Sequence, residues 1–457
     1  MSLGLNFSGL TESLAKTAHD FHGLALPQDV KIRARHSLLD WFSLVLSAGK
    51  SSELGYLRAY YDSSDSEGDA HCTVFFQEQQ MTPQAAMMLN GIAGHLQDFD
   101  DTHLVSRVHP SVPLWPVLWC EAERRELTGE QLLRAFVAGV QVQSQLAQVM
   151  GERHYALGWH NTATLGAFGA TAALGVARGL SIKQLRQAFG FVATQVGGLR
   201  KVFGSIAKPV QVARASVQAY ESVGWAEFGL SSVDDVLDGV LGFTNVYGGQ
   251  PQDLLGLKVN HWWVRDILFK YHASCYGTQA PIQAALELGP QSLEVVREVQ
   301  VFIEPQYMSV CNIASPVTVN EAKFSVRHMV AMVLAEVNTA SEESIAMSLK
   351  DENILQWREK IQVKSCVELT RAKAKIILGL KTGEAVEYFF DASRPESDLN
   401  TEARQLIEKS QTILLESAWP GEFVSWLQSE LLSIDSCTDI AQWLARYRSR
   451  LKHLAKQ

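Results

Sequence analysis

The sequence predicts a mainly α protein, a large all-helical domain into which a smaller α+β lid domain is inserted. Three observations predict it. Capped, helix-periodic segments fill the first 260 or so residues. After about residue 265 the pattern turns to alternating, Val-rich segments, and from Thr401 the helical pattern returns. The expected division is a helical domain over residues 1–265 plus 401–457 and an α+β lid domain over residues 266–400.

The elements follow in order. "PQDVKIRARHSLLDWFSLVLSAG" opens with Pro27, suited to a first helical turn, and ends at Gly49. "YYDSSDSEGDAH" (residues 60–71) reads as a surface loop. Thr82 and Pro83 start "TPQAAMMLNGIAGHL" as cap and first-turn residue. Thr128 with Gln131, and Ser181 with its following helix, carry capping patterns. "TATLGAFGATAALGVARGL" is rich in Gly and Ala and includes Arg178, so it reads as a close-packed buried helix rather than a membrane span. "EVVREVQVFIE", "KSCVELT" and "AKAKIILGLKTGEAVEYFF" read as strands, with a turn at "KTGE".

Composition excludes several classes. The chain has 457 residues, 47% of them hydrophobic and 19% charged, an ordinary balance for a folded protein of about two domains. A net charge of -9 argues against a nucleic-acid partner. The amino-terminal residues lack the basic start and apolar centre of a signal peptide. The six cysteines are widely spaced and form no CxxC pair, which predicts free thiols in a reducing cytoplasm.

Four stretches carry the chemistry. "GHLQDFDDTHLVSRVHPS" places three aspartates and three histidines where a helix ends, and aspartates there oppose the helix dipole. Asp98, Asp101 and His109 are the leading candidates, with His95 and His103 behind them; Asp100 reads as a residue that hydrogen-bonds loop backbone. A metal site is the rival reading, but no HExxH or other tight ligand spacing supports it, and no metal is expected. In "ALGWHNTATLGAFGA", His160 precedes a helix that Asn161 or Thr162 could cap, a setting suited to a general base. In "GLRKVFGSIAKPVQVARAS", Lys208 lies among small residues before Pro209, so its backbone is expected to be extended, and it is a candidate carboxylate ligand. In "FKYHASCYGTQAPIQAALEL", Lys270, His272, Cys275, Thr278 and Gln279 form a polar cluster leading into an amphipathic helix.

Taken together and in this order, the four stretches resemble the MmgE/PrpD family over nearly the full length. The family's signatures are similar to "LNGIAGHLQDFDDTH", "GWHNTATLGAFGATAALGVARGLS", "GSIAKPVQVARAS" and "FKYHASCYGTQAPIQAALEL". The resemblance implies a helical domain plus a lid, a homodimer, no cofactor, a small carboxylate substrate and an active site between the domains. It places the catalytic cluster on Asp98, Thr102, His109, His160, Lys208 and the Lys270–Gln279 segment. Many relatives carry His where this chain has Gln211 and Gln279, and glutamine cannot exchange a proton near neutral pH. The expected chemistry is proton abstraction next to a carboxylate. His109 or His160 would be the base, Lys208 and Lys270 the stabilising cations, and Thr102 a donor. Asp98 and Asp101 would orient an imidazole. Substrate contacts would come from Thr102, Lys270, His272, Cys275, Gln279 and Gln211. A 2-methylcitrate dehydratase-like lyase leads, with decarboxylation, epimerisation or carboxylate binding without turnover as alternatives.

Overall fold

The computed structural model describes residues 9–64, 72–249, 260–370 and 372–455. The fold is mainly α. The chain divides into two compact units. The first comprises residues 1–96, 100–267 and 420–457; the second comprises Gln97–Phe99 and residues 268–419. The helix Leu399–Glu416, which the pattern grouped with the helical domain, falls within the second unit.

In the first unit the helices Gly129–Ala156, Asn161–Ala177 and Ala207–Glu227 form the centre, and Pro83–Leu96 and Ser111–Arg125 pack against them. The small residues explain the close approach. A Cβ built on Gly139 would lie 2.8 Å from the Gly169 carbonyl oxygen, and one on Gly169 would lie 2.9 Å from that of Gly139. The two helices thus cross backbone to backbone, and a side chain at either glycine would force them apart. Every residue of Asn161–Val176 is buried. Trp41, Phe42, Phe75, Trp119, Trp443 and Tyr447 form an aromatic core, joining the carboxy-terminal helix Ile440–Leu454 to this unit.

Local sequence signals account for several boundaries. Thr128 with Gln131 and Ser181 with Gln184 form complete capping boxes. Others differ from expectation. The helix Asn161–Ala177 takes His160 as its N-cap, with no side-chain cap bond, rather than Asn161 or Thr162. Residues 60–64 extend the helix Ser52–Ser64 instead of looping, and residues 65–71 lie outside the described residues. Cys72 and Cys120 are joined in a disulfide, with Cα atoms 5.4 Å apart, where free thiols were expected. Cys275, Cys311, Cys366 and Cys437 are free thiols.

The second unit contains a four-stranded sheet. Val296–Ile303 lies between Ile361–Ser365, to which it is parallel, and Lys373–Leu380, to which it is antiparallel; Ala385–Asp391 forms the edge. The segment "KSCVELT" is strand only as far as Ser365. The helices Tyr276–Glu287 and Val326–Leu334 pack on one another, and the first also packs on the sheet. Among the described residues no helix is long and apolar enough to cross a membrane.

Two glycines of the first unit test the packing argument. Gly169→Ala is expected to destabilise by roughly 1–3 kcal/mol, because its methyl group overpacks the crossing. Gly224→Ala, whose Cβ would find only the Arg178 guanidinium at 4.0 Å, is expected to stabilise by about 0.5–1 kcal/mol through lost chain entropy. Urea unfolding midpoints should therefore move in opposite directions.

Candidate active site

The loop after Pro83–Leu96 is built to hold an imidazole. Between His103 and Val108 it closes on itself: the His103 N–H donates to the Val108 carbonyl at 2.9 Å, and the Arg107 N–H to the His103 carbonyl at 2.8 Å. His103 Nδ1 accepts the Ser106 N–H at 3.2 Å, so this histidine staples the turn. Burial lowers its pKa to about 4. The loop then docks on the start of Asn161–Ala177. The Asn161 side-chain amide donates to the Ser106 carbonyl at 2.9 Å, and the His109 N–H donates to Thr162 Oγ1 at 3.1 Å. These bonds bring His109 and His160 to the same end of one helix.

A fully buried carboxylate, Asp100, lies between two imidazoles. His95 Nδ1 is 2.9 Å and His109 Nδ1 3.0 Å from Asp100 Oδ2. His109 Nδ1 is also 2.9 Å from the Asp101 carbonyl oxygen, which can only accept, so that nitrogen carries the proton. In the neutral ring the lone pair is therefore on Nε2. Burial alone would push the Asp100 carboxyl up, but the imidazoles of His109 and His95 outweigh it and hold it well below the usual carboxylate range. His95 goes the other way: burial lowers its pKa to about 4 against the pull of Asp100. Its Nε2 is buried and has no hydrogen-bond partner among the described residues. The rings of His95 and His109 lie 4.8 Å apart, and His95 stacks at 6.4 Å on His160.

His160 and Lys208 complete the group. The His160 N–H donates to the Gly198 carbonyl at 3.0 Å. Gly198 has a φ of +141°, and a Cβ there would lie 2.6 Å from Ala163, so only glycine brings this strand of chain so close. On the side chain, Gln211 Nε2 lies 2.7 Å from His160 Nδ1. Phe203 meets the His160 ring edge-on at 4.8 Å, and the Lys208 ammonium lies 5.2 Å from the centre of the same phenyl ring. The positive charge of Lys208 helps to lower the pKa of His95.

Lys208 is helical, contrary to the extended backbone expected before a proline. It is the second residue of Ala207–Glu227. Pro209 is tolerated because N–H groups of the first turn have no partner within the helix. A cation in the first turn opposes the helix dipole, so the position serves something other than helix stability. With the start of Asn161–Ala177 nearby in the same unit, two helix amino termini and one ammonium favour an anion.

The remaining expected residues separate. Asp101 does not orient an imidazole through its carboxylate. Oδ1 accepts the Ser111 N–H at 3.1 Å and Oδ2 lies 2.6 Å from Ser111 Oγ. Burial raises its pKa to about 8, against the Ser111 hydrogen bonds. The carboxylate that meets the imidazoles is Asp100, rather than a residue that hydrogen-bonds loop backbone. Thr102 is buried, with its hydroxyl 3.5 Å from the Val108 carbonyl. Gln211 is on Ala207–Glu227 beside His160, as described.

The other candidates belong to the second unit. Asp98 has a left-handed backbone, φ +52°, and its carbonyl accepts from the buried Lys270 ammonium, which is also 3.4 Å from Asp98 Oδ1. The Lys409 ammonium, not anticipated from sequence, donates to the Phe99 carbonyl at 2.7 Å and lies 3.8 Å from the centre of its ring. Two buried lysines thus grip successive carbonyls of the Gln97–Phe99 segment. His272 is spent on structure: its Nδ1 is 2.7 Å from Thr339 Oγ1 and its Nε2 2.8 Å from Gln283 Nε2. Burial, helped by the charge of Lys409, lowers its pKa to about 3. Cys275 is the N-cap of Tyr276–Glu287, and the Gln279 amide donates to the His272 carbonyl at 3.0 Å.

His95, Asp100 and His109 present nitrogen and oxygen atoms of the kind that zinc or manganese takes, all within 4.8 Å. Both Nδ1 atoms, however, are turned to the carboxylate at hydrogen-bond distance, the geometry of a proton relay. The first unit is therefore a helical scaffold holding imidazoles, a buried carboxylate and a lysine where an anion could bind and a proton could move.

Comparison with known proteins gives this class its family. Residues 12–254 match the MmgE/PrpD N-terminal domain and residues 272–414 the MmgE/PrpD C-terminal domain, so the chain belongs to the MmgE/PrpD family. It is 29% identical over 283 residues to the cis-aconitate decarboxylase-like protein oryM of Aspergillus oryzae, covering 58% of each chain. It is 28% identical over 270 residues to human cis-aconitate decarboxylase, covering 57% of this chain and 56% of the human one. Against the mouse cis-aconitate decarboxylase the figures are 27% over 269 residues, 57% and 55%. The chain thus spans 55–58% of the length of these curated relatives.

Asp101 makes a pH prediction. A carboxyl raised in the folded state adds stability below its unfolded pKa of 3.8, and that stability is lost as pH rises through about 8. The buried His95, His103 and His328, lowered to about 4, act oppositely, but only below their unfolded value of 6.5. Between about pH 6.5 and 8, Tm should therefore fall in the natural chain. In Asp101→Asn the slope over that interval should be flatter, as read by calorimetry.

Proposed function

We propose that the chain is a lyase acting on a small di- or tricarboxylate, and that the bond it breaks is to a departing carbon dioxide. The observation that carries this reading is the His95–Asp100–His109 relay within a unit that also sets Lys208 at a helix amino terminus. Substrate carboxylates would meet the Lys208 ammonium and the helix N–H groups. The C–C bond to one carboxylate breaks, and its electron pair stays on carbon, spread into an adjoining carboxylate or double bond. Lys208 stabilises that charge, the kind of contribution usually largest in such reactions. His109 gives the carbon a proton from Nε2, with Nδ1–H anchored on Asp100 and the Asp101 carbonyl. Asp100 stabilises the cationic ring before transfer and holds the orientation afterwards.

Sequence resemblance put loss of water first. The names of the three relatives, all decarboxylases or decarboxylase-like, move loss of carbon dioxide ahead of it. Decarboxylation also needs only one proton, delivered to carbon, which suits a relay with one well-anchored imidazole.

The whole chain incubated with cis-aconitate should release carbon dioxide and yield a dicarboxylate one carbon shorter. His109→Ala and Lys208→Ala should each lower kcat/KM by about 10²–10⁴-fold with the circular dichroism spectrum unchanged. Turnover left intact in both variants would remove the site assignment.

A further inference from the structure

The second unit holds a pair of thiols that the proposed lyase chemistry does not use. Cys275 and Cys311 stand 36 positions apart in the sequence. One short segment draws them together. The Cys275 N–H donates to the Lys323 carbonyl at 2.9 Å, and the Val326 N–H, three residues on, donates to the Cys311 carbonyl at 2.9 Å. An antiparallel bridge between Asn312 and Ser325 continues this pairing. Side by side, the two sulfurs share a hydrogen bond. Gly277 makes room for it. A Cβ there would lie 2.5 Å from Cys311 Sγ and 2.4 Å from the Tyr307 ring, so any side chain would push this sulfur off the first turn of Tyr276–Glu287.

The settings of the two thiols differ in the way a two-step oxidation requires. Cys275 is partly exposed and Cys311 is fully buried. Cys275 is the N-cap of Tyr276–Glu287, yet its side chain makes no capping bond, so serine, threonine or aspartate would serve the helix better. Its place at the positive end of the helix dipole does favour a thiolate. The Cys311 S–H donates to the Cys275 sulfur and lowers its pKa, outweighing burial and Asp98, and the Lys270 ammonium acts in the same direction. The same bond, with burial, pushes the Cys311 thiol well up. One sulfur is thus the readier nucleophile and open to solvent, and the other stands beside it with its proton.

We infer that Cys275 and Cys311 form a peroxide-responsive dithiol, a modification site at which Cys275 is oxidised first and Cys311 closes the disulfide. The pairing of an accessible, reactive cysteine with a resolving one is the arrangement that redox-sensing sites share. In the first step the Cys275 thiolate attacks one oxygen of hydrogen peroxide. The O–O bond breaks, hydroxide leaves, and Cys275 becomes a sulfenic acid. In the second step the Cys311 sulfur attacks the Cys275 sulfur. The S–S bond forms, the S–O bond breaks, and the departing hydroxide takes the Cys311 proton and leaves as water. In sum the two thiols give two electrons to the peroxide, which leaves as two waters. A reducing dithiol reverses the change by thiol–disulfide exchange. The site is separate from the Cys72–Cys120 disulfide, which belongs to the first unit. It is also independent of the lyase reading.

The test is a peptide map of the full natural chain, treated with one equivalent of hydrogen peroxide at neutral pH, alkylated and digested with trypsin without reductant. Cys275 falls in the tryptic peptide of residues 271–297 and Cys311 in that of residues 298–323. The two peptides should appear linked within single chains, and dithiothreitol should separate them. Before oxidation, Cys275 should react with iodoacetamide about tenfold faster than Cys437, whose thiol burial pushes up. In Cys311→Ser, oxidation should stop at a sulfenic acid on Cys275 that dimedone traps. If that variant does not fold, the map of the natural chain decides alone. Cys275 carried on to a sulfinic acid while Cys311 stays reduced, a bond from either to some other cysteine, or alkylation of Cys275 no faster than that of Cys437 would overturn the inference.

Discussion

A single buried carboxylate shared by two imidazoles is the constraint around which the first unit is arranged. Asp100 is removed from water, and charge in that position is costly unless it is paired and hydrogen-bonded. His95 and His109 supply hydrogen bonds from either side. Each must then lie within hydrogen-bond reach of the same oxygen, which fixes the end of one helix, at His95, relative to a loop residue, His109, fourteen positions on. Gly198, with its positive φ, lets the chain approach closely enough to accept the His160 N–H, and His160 stacks on His95.

Three neighbouring acidic groups show how environment, not residue type, sets chemistry. Asp100, between imidazoles, is held well below the usual carboxylate range; Asp101, buried against Ser111 with the acids Asp40 and Asp100 acting on it, is pushed above it. Asp98, two residues before Asp100, has left-handed backbone and pairs with a lysine of the second unit. The histidines divide in the same manner. His103 and His272 make structural hydrogen bonds, while His109 Nδ1 faces acceptor oxygens and His160 Nδ1 lies beside the Gln211 amide.

Much of this was legible before any coordinates. The capping pairs at Thr128 and Ser181, the Gly- and Ala-rich buried helix and the strand at Val296–Ile303 lie where periodicity and caps put them. The stretches that carry His109, His160 and Lys208 do converge within one unit. Period and propensity could not choose among the aspartates, because neither anticipates the positive φ at Asp98 or which carboxylate the two imidazoles share. They placed Lys208 outside its helix, since the rule for residues before proline gives way in a first turn. The Cys72–Cys120 pair, 48 residues apart, and the Lys409 grip on Phe99, 310 residues apart, have no local signal at all.

The relay is tested most directly by Asp100→Asn, which keeps the shape and removes the charge. An asparagine can offer its NH₂ to His109 Nδ1, leaving the ring with the wrong tautomer. By the precedent of such substitutions beside a catalytic imidazole, kcat should drop by about 10³–10⁴-fold while the fold is kept. Near-normal kcat in a correctly folded Asp100→Asn protein would contradict the account.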